Sequence, residues 1–266
     1  MIKYGMELNG GKMNKEILNK KILHEKDDLF AILFINFLTT RLTHYIIENK
    51  IKITPNQISY LRMFLIAPII ILFLFLAPLY GNLLFYLGAL VFCYLFIVSD
   101  WLDGQLARGT NKTSLKGAFL DSIADRCSTI LFIVFLFSSG LWFSNNFLIY
   151  GSVCLFTLKS FHLMIITKLF YFGIEKGKNN FRVFDGHDTG INKINIIFKK
   201  VNKVLKIKNW GGTFGGSERF FITIMLPLIL LLLGLVLLTK ILLITYILLY
   251  SIFFIIRTKN LFQNIK

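Results

Sequence analysis

Cysteine and histidine are rare in this sequence. It contains 3 Cys and 4 His among 266 residues. Cys93, Cys127 and Cys154 stand apart in apolar stretches without a C-x-x-C pair, so they are interpreted as small packing residues that indicate nothing about the redox compartment. No His or Cys lies at ligand spacing beside the acidic residues of the chain, which argues against a zinc site.

Acidic residues are scarce as well. The chain has 14 Asp and Glu against 30 Lys and Arg, which gives a formal net charge of +16. Nucleic-acid-binding proteins often have such a basic balance, but no nucleic-acid motif accompanies it, and nucleic acid is not expected as a partner. The positions of the basic residues are more informative. They gather near both ends of the chain, at 108–116 and at 176–208.

Apolar residues, in contrast, are abundant. Hydrophobic types make up 55% of the chain, 28 residues are Phe, and the mean hydropathy is +0.66. The apolar runs predict an all-α, polytopic integral membrane protein with six transmembrane helices, at about 57–77, 82–106, 117–139, 147–172, 217–233 and 240–256. Basic clusters fall in alternate loops, so the positive-inside rule places both termini in the cytoplasm.

The predicted domain organisation follows this pattern. Residues 1–28 form a polar, Lys-rich arm, and residues 29–48 form an interfacial amphipathic helix, because their apolar part is too short to span a bilayer. The six-helix membrane domain covers 56–258 and contains a basic cytoplasmic insertion at 173–216. Ile and Val alternate there with Lys at helical spacing, which is typical of a surface helix on anionic membrane lipid. No internal repeat, second domain or cleavable signal is predicted.

Four aspartates interrupt the predicted second and third helices: Asp100, Asp103, Asp121 and Asp125. Spacings of three and four residues put each pair on one helical face. On insertion scales, four uncompensated carboxylates at the bilayer centre would cost on the order of 10 kcal/mol, comparable to the stability of a domain. The basic residues close to them in sequence are Arg108, Lys112, Lys116 and Arg126. Two divalent ions between the helices would neutralise the carboxylates, whose oxygens favour Mg²⁺ or Mn²⁺.

The same stretch carries a longer pattern. Its fixed positions are Asp100, Asp103, Gly104, Ala107, Arg108, Gly117, Asp121 and Asp125. They read D-x2-D-G-x2-A-R-x8-G-x3-D-x3-D, which resembles the signature of the CDP-alcohol phosphotransferase family with every fixed position filled. The start of the first predicted helix, Thr54 to Ser59, is also similar to the family's T-P-N-x-(I/V)-(S/T) entry, whose polar residues border the nucleotide site, and Arg62 follows it. Asn56 is equally well interpreted as a helix cap.

This resemblance implies transfer of a substituted phosphate from a CDP-alcohol, such as CDP-diacylglycerol, to a polar alcohol, with release of CMP. It implies two metal ions on the four aspartates, with Asp125 as general base for the acceptor hydroxyl. The implied nucleotide contacts are Asn56, Gly104, Ala107, Arg108 and Gly117, although Arg108 alone also fits a loop charge. A homodimer embedded in membrane lipid is implied as well.

Three basic residues are candidate contacts for the acceptor: Arg126, Lys159 and Arg219. Lys159 is included because a charge within a predicted span indicates a polar cavity. Arg219 resembles the basic residue that family members place near the acceptor, although a simple charge anchor at the inner membrane face explains it equally well.

The predicted interfacial helix and Glu218-Arg219 are most similar to the archaeal branch with inositol-phosphate and di-inositol-phosphate synthases. Inositol phosphate, glycerol phosphate, serine and another polyol all remain open as acceptors. Two other functions fit intramembrane carboxylates. A transporter with a cation site would predict broken helices and repeat symmetry. An Asp-rich membrane prenyltransferase would need two distant Asp clusters and more spans.

Overall fold

The chain folds into helices throughout residues 31–175 and 220–263, the part that the computed structural model describes. Helix α1 is a π-helical turn, Ala31–Ile35, continued by Asn36–Glu48. It is followed by α2 (Pro55–Tyr80), α3 (Leu83–Gly109), α4 (Leu115–Trp142), α5 (Asn146–Glu175), α6 (Phe221–Leu232) and α7 (Val236–Gln263). The predicted helices are therefore confirmed as helices over their described residues.

Capping side chains mark the helix starts that face the predicted cytoplasmic side. Thr54 begins α2 with a capping box: its hydroxyl accepts from the Gln57 backbone N–H at 3.3 Å, and the Gln57 side chain accepts from the Thr54 backbone N–H at 2.8 Å. Ser114 begins α4 by accepting from the Gly117 N–H at 3.0 Å. Because Thr54 is the cap, the interpretation of Asn56 as a cap is wrong.

Helix α2 occupies the centre of the arrangement. It packs against both α3 and α4, and α6 also contacts both of them. Direct backbone contact between α3 and α4 is slight, so these consecutive helices are joined mainly through α2 and α6. Helix α1 lies along α3, and α7 packs against α5 and α6.

In the part of the chain that the structure describes, two helices, α2 and α3, are long and apolar enough to cross a membrane, and shorter apolar stretches occur in α4, α6 and α7. Only 33% and 39% of the most apolar windows of α2 and α3 are buried in protein. Large side chains such as Phe64, Leu79 and Leu84 point outward, as expected of helices in contact with lipid. Crossing by all six helices stays a prediction.

The π-helical turns are stabilised from neighbouring helices. Within residues 31–175 and 220–263 these turns are Ala31–Ile35, Arg62–Ile66 and Phe221–Met225. Tyr94 of α3 donates to the carbonyl of Phe34 at 2.9 Å, and Tyr246 of α7 donates to that of Ile222 at 2.8 Å. A wider turn leaves carbonyls that require such donors in an apolar setting. The remaining π turn begins at Arg62.

Helix α1 has a polar side toward the protein and apolar side chains on its outside. Thr43 is buried and donates to Gln105 of α3 at 3.2 Å, while Phe34, Phe37 and Tyr45 are exposed. This distribution suits a helix on a membrane surface. The interfacial location stays a prediction, and the predicted 1–28 arm lies outside the described residues.

Small residues allow close helix packing elsewhere. A Cβ added to Gly140 of α4 would lie 2.7 Å from Ile149 Cγ1 and 2.9 Å from the Ile149 backbone nitrogen of α5. The three cysteines are free thiols; Cys93 is buried in the core as predicted, whereas Cys154 is exposed, so its assignment as a packing residue is wrong.

Candidate metal and nucleotide site

The two carboxylates of α3 converge on one guanidinium. Arg62 Nη1 forms an ion pair with Asp100 Oδ1, and Arg62 Nη2 lies 3.8 Å from Asp103 Oδ2. Arg62 belongs to α2 and is 1% exposed, which makes it one of the largest fully buried side chains described. Its Cζ lies 5.5 Å from the ring centroid of Phe96, one turn before Asp100 on α3.

A hydroxyl from α2 completes this contact. Ser59 Oγ donates to Asp103 Oδ2 at 2.6 Å, a short distance typical of a bond to an ionised oxygen. Ser59 and Arg62 are three residues apart on α2, and Asp100 and Asp103 are three apart on α3. Two i,i+3 pairs therefore face each other across the α2–α3 interface.

Burial explains why these partners are needed. The Asp103 side chain is 8% exposed and that of Asp100 is 35% exposed. Burying an unpaired carboxylate costs several kcal/mol of free energy, and this cost favours the protonated, neutral form of the group. One guanidinium against two carboxylates leaves a formal charge of 1 − 2 = −1. The group therefore still attracts cations.

The start of α4 lies beside the start of α2. Asn56 Oδ1 lies 3.3 Å from the point where a Cβ on Gly117 would stand, and the Ser114 hydroxyl lies at the same distance. Because Gly117 has no side chain, α4 can lie close to Asn56. Positions 121 and 125 follow Gly117 by one and two turns of the same helix. The side chains of Asp121 and Asp125 lie outside what the structure describes, so a joint site of four carboxylates stays a prediction.

Arg62 lies between the two acidic helices. Its charge is close enough to Cys127 of α4 to interact with it electrostatically, and its π turn packs on α4. The basic residues closest to the aspartates in sequence are Arg108, Lys112, Lys116 and Arg126. Arg62, a cation that pairs with Asp100 and Asp103, comes from α2 and was not among them.

The nucleotide pattern on α3 has a defined geometry around Gly104. Arg108 Nη1 lies 3.3 Å from the point where a Cβ on Gly104 would stand. Both residues and Ala107 are partly buried at the end of α3. The guanidinium therefore lies over bare backbone one turn away, an arrangement that suits phosphate oxygens. Among the side chains that are described, that of Arg108 is the nearest to this point over Gly104.

Two of the three candidate acceptor residues, Arg126 and Lys159, are described. Arg126 is exposed on α4. Lys159 of α5 places its Nζ 4.6 Å from the ring centroid of Tyr250 on α7. Arg219 and nearly all of the 173–216 insertion lie outside the described residues.

A hard divalent cation fits the described donors. Asp100 and Asp103 offer carboxylate oxygens close together, with a residual charge of one unit, which is the ligand chemistry of Mg²⁺ and Mn²⁺. Among the side chains that are described, no group of three or more His, Cys, Asp or Glu surrounds a single point. Two ligands from α3 are thus in place, and further ones would have to come from α4.

Ser59 and Arg62 were expected beside the nucleotide site, but their contacts with the α3 carboxylates were not predicted. One signal could have identified Arg62: it is a lone charge inside an apolar run long enough to span a membrane, and such charges mark functional sites by default. Ser59 lies one turn before it.

Comparison with known proteins identifies relatives. A model of the family described as CDP-alcohol phosphatidyltransferase matches residues 52–254. The bifunctional IPC transferase and DIPP synthase of Aquifex aeolicus is 32% identical over 96 residues, 36% of this chain and 20% of that protein.

Two relatives are named CDP-diacylglycerol--glycerol-3-phosphate 3-phosphatidyltransferase. The Wigglesworthia glossinidia brevipalpis protein is 30% identical over 126 residues, 47% of this chain and 63% of its own. The Pseudomonas fluorescens protein is 39% identical over 82 residues, 31% of this chain and 40% of its own. In each case the matched region covers less than two thirds of the relative. No solved structure matches the chain.

Proposed function

Because the chain belongs to the CDP-alcohol phosphatidyltransferase family, we propose that it transfers a substituted phosphate from a CDP-alcohol to the hydroxyl of a second alcohol and releases CMP. One observation carries the proposal. Asp100 and Asp103, the first two positions of the family pattern, both lie against the buried Arg62 guanidinium, and these three side chains carry a formal charge of −1. Family membership favours this reaction over the transporter and the prenyltransferase.

We assign the metal ligands to Asp100, Asp103, Asp121 and, in part, Asp125. With Arg62, these four carboxylates carry a formal charge of 1 − 4 = −3, which suits two divalent ions. Bound Mg²⁺ or Mn²⁺ would neutralise the donor diphosphate and the charge that develops on the CMP leaving group. Ser59 and Arg62 hold the α3 carboxylates in place for this purpose.

The chain's own cation for the nucleotide is Arg108. Its guanidinium, placed over Gly104, would bind a phosphate oxygen of the donor. Ala107 keeps that surface free of bulk, and the Asn56 amide beside Gly117 offers a hydrogen-bonding group from the opposite helix. These contacts orient the donor between α2, α3 and α4.

Attack by the acceptor requires loss of its hydroxyl proton. Asp125 is the proposed general base, as implied by its place at the end of the family pattern. Arg126, Lys159 and Arg219 are the proposed contacts for an anionic acceptor. Of these, Lys159 would have to move its ammonium from the face of Tyr250.

The proposed setting is a membrane with six crossings and both termini in the cytoplasm. The basic clusters of the sequence support this orientation, since they coincide with the turn after α3 and with the 173–216 insertion. Tight turns at Gly81, at 143–145 and at Gly234 join the helices on the other side. The site would then open to cytoplasmic nucleotide and to lipid, and a homodimer is the proposed assembly.

Release of CMP tests the proposal. Purified protein would be incubated with CDP-diacylglycerol or other CDP-alcohols, with Mg²⁺, and with glycerol 3-phosphate, inositol phosphate, serine or other polyols. The wild-type protein is expected to release CMP with at least one pair, and Asp103→Asn, which keeps the shape but loses the charge, is expected to release none. Absence of CMP for every pair, or equal turnover by the variant, would contradict the proposal.

A further inference from the structure

Arg62 occupies carboxylate oxygens at the proposed metal site. Its Nη1 pairs with Asp100 Oδ1 and its Nη2 approaches Asp103 Oδ2. These two residues are also the proposed ligands on α3. Arg62 is not part of the family pattern on α3 and α4, and it comes from a different helix.

The Arg62 guanidinium cannot free these carboxylate oxygens by losing its positive charge. Arginine stays protonated in proteins, and a buried cation needs a counter-charge at all times. The side chain is 1% exposed, Phe96 covers it, and Asp103 is held from the other side by Ser59. A divalent ion that reaches Asp100 and Asp103 therefore meets a fixed positive charge within a few ångströms.

We propose that Arg62 is a resident counter-cation of the metal site. This inference rests on the proposed role of Asp100 and Asp103 as metal ligands. Without metal, Arg62 offsets one of the two negative charges on Asp100 and Asp103 and helps to hold α2 and α3 together. With metal, it opposes binding, so divalent ions bind weakly until the donor diphosphate adds its own negative charge. Metal and CDP-alcohol then bind cooperatively, and an empty site does not hold metal tightly.

Mn²⁺ binding measured by electron paramagnetic resonance tests this role without any turnover. Full-length wild-type protein, Arg62→Gln and Arg62→Lys would be titrated in detergent without nucleotide. Arg62→Gln is expected to bind Mn²⁺ about tenfold more tightly or better, because the opposing charge is gone. Arg62→Lys keeps the charge and is expected to stay within about threefold of the wild type. Equal or weaker binding by Arg62→Gln, or the same gain in Arg62→Lys, would overturn the proposal.

Thermal unfolding provides a second readout on the same proteins. Metal-free Arg62→Gln is expected to melt well below the wild type and to regain more of its melting temperature on addition of Mn²⁺. Arg62→Lys is expected to show a smaller loss. A larger Mn²⁺ stabilisation in the wild type than in Arg62→Gln would contradict the counter-cation role.

A third measurement needs no variant. CDP is expected to tighten Mn²⁺ binding to the wild-type protein by about tenfold, after chelation by CDP alone has been subtracted. Unchanged affinity would overturn the inference even if Arg62→Gln does not fold. The proposed function is tested separately. If the wild-type protein releases CMP but Arg62→Gln does not bind Mn²⁺ more tightly, only the counter-cation role is contradicted. Protein that binds no Mn²⁺ and releases no CMP contradicts the proposed function, and the inference with it.

Discussion

Replacing Ser59 with alanine removes one hydrogen-bond donor from a buried carboxylate. Ser59 Oγ donates to Asp103 Oδ2 at 2.6 Å, and both side chains lie within the α2–α3 interface. Asp103 is 8% exposed, so water has little access to replace the lost hydroxyl. Arg62 Nη2 lies 3.8 Å from the same oxygen, beyond hydrogen-bonding distance.

The size of the effect follows from this geometry. A hydrogen bond to a charged group contributes about 1.5–3 kcal/mol. If Asp103 must be held in place for the reaction, this loss translates into a decrease of about 10- to 150-fold in kcat/KM for the CDP-alcohol. The Mg²⁺ concentration for half-maximal activity is expected to rise as well, since a misplaced carboxylate is a poorer ligand.

CMP release at varied donor and Mg²⁺ concentrations measures both effects. Ser99→Ala is a matched control: Ser99 is also buried on α3 next to Asp100, but its hydroxyl donates to the Phe96 carbonyl of its own helix at 2.8 Å. That variant is expected to stay within about threefold of wild type, because local Ser back-bonds contribute little to helix stability. A folded Ser59→Ala protein with wild-type kcat/KM and Mg²⁺ dependence would refute the reasoning.

Three further changes have defined outcomes. Asp121→Asn is expected to abolish CMP release while circular dichroism and melting temperature stay near wild type, because only a ligand charge is lost. Thr54→Ala removes the capping box with Gln57 and is expected to lower the free energy of unfolding by about 0.5–2 kcal/mol, measured by denaturation in detergent. Gly140→Ala places a methyl group against Ile149 and is expected to cost about 1–3 kcal/mol in the same assay, because the α4–α5 turn must open.

Each of these has a contrary result. Turnover by folded Asp121→Asn would remove α4 from the metal assignment. An unchanged unfolding free energy in Thr54→Ala would show that water caps α2 equally well. An unchanged free energy of unfolding in Gly140→Ala would show that the α4–α5 turn accommodates the added methyl group without loss of stability.

The helices were predictable because local chemistry sets their ends. Thr54-Pro55 and Ser114 supply caps, and Gly81 and Gly234 adopt left-handed backbone at the turns. These signals reside within a few residues of each boundary. The apolar runs between these boundaries are long enough to predict helices without tertiary information.

The partners of the carboxylates were not predictable in the same way. Ser59 lies 44 residues before Asp103, and only the packing of α2 on α3 brings them together. The pattern on α3 and α4 gave no sign that α2, which contacts both helices, supplies Arg62 to the α3 carboxylates. Likewise, Gly104 and Arg108 were both expected as nucleotide contacts, but the sequence gave no sign that the Arg108 guanidinium lies over Gly104.

The central claim is that aspartates of α3 and α4 share one metal centre. Electron paramagnetic resonance of Mn²⁺ with CDP measures this most directly, by the number of bound ions and their magnetic coupling. We expect two coupled ions per wild-type chain, and loss of the coupled signal in both Asp103→Asn and Asp121→Asn. A coupled signal that survives in folded Asp121→Asn would contradict the account, because the carboxylates of α4 would then play no part in the centre.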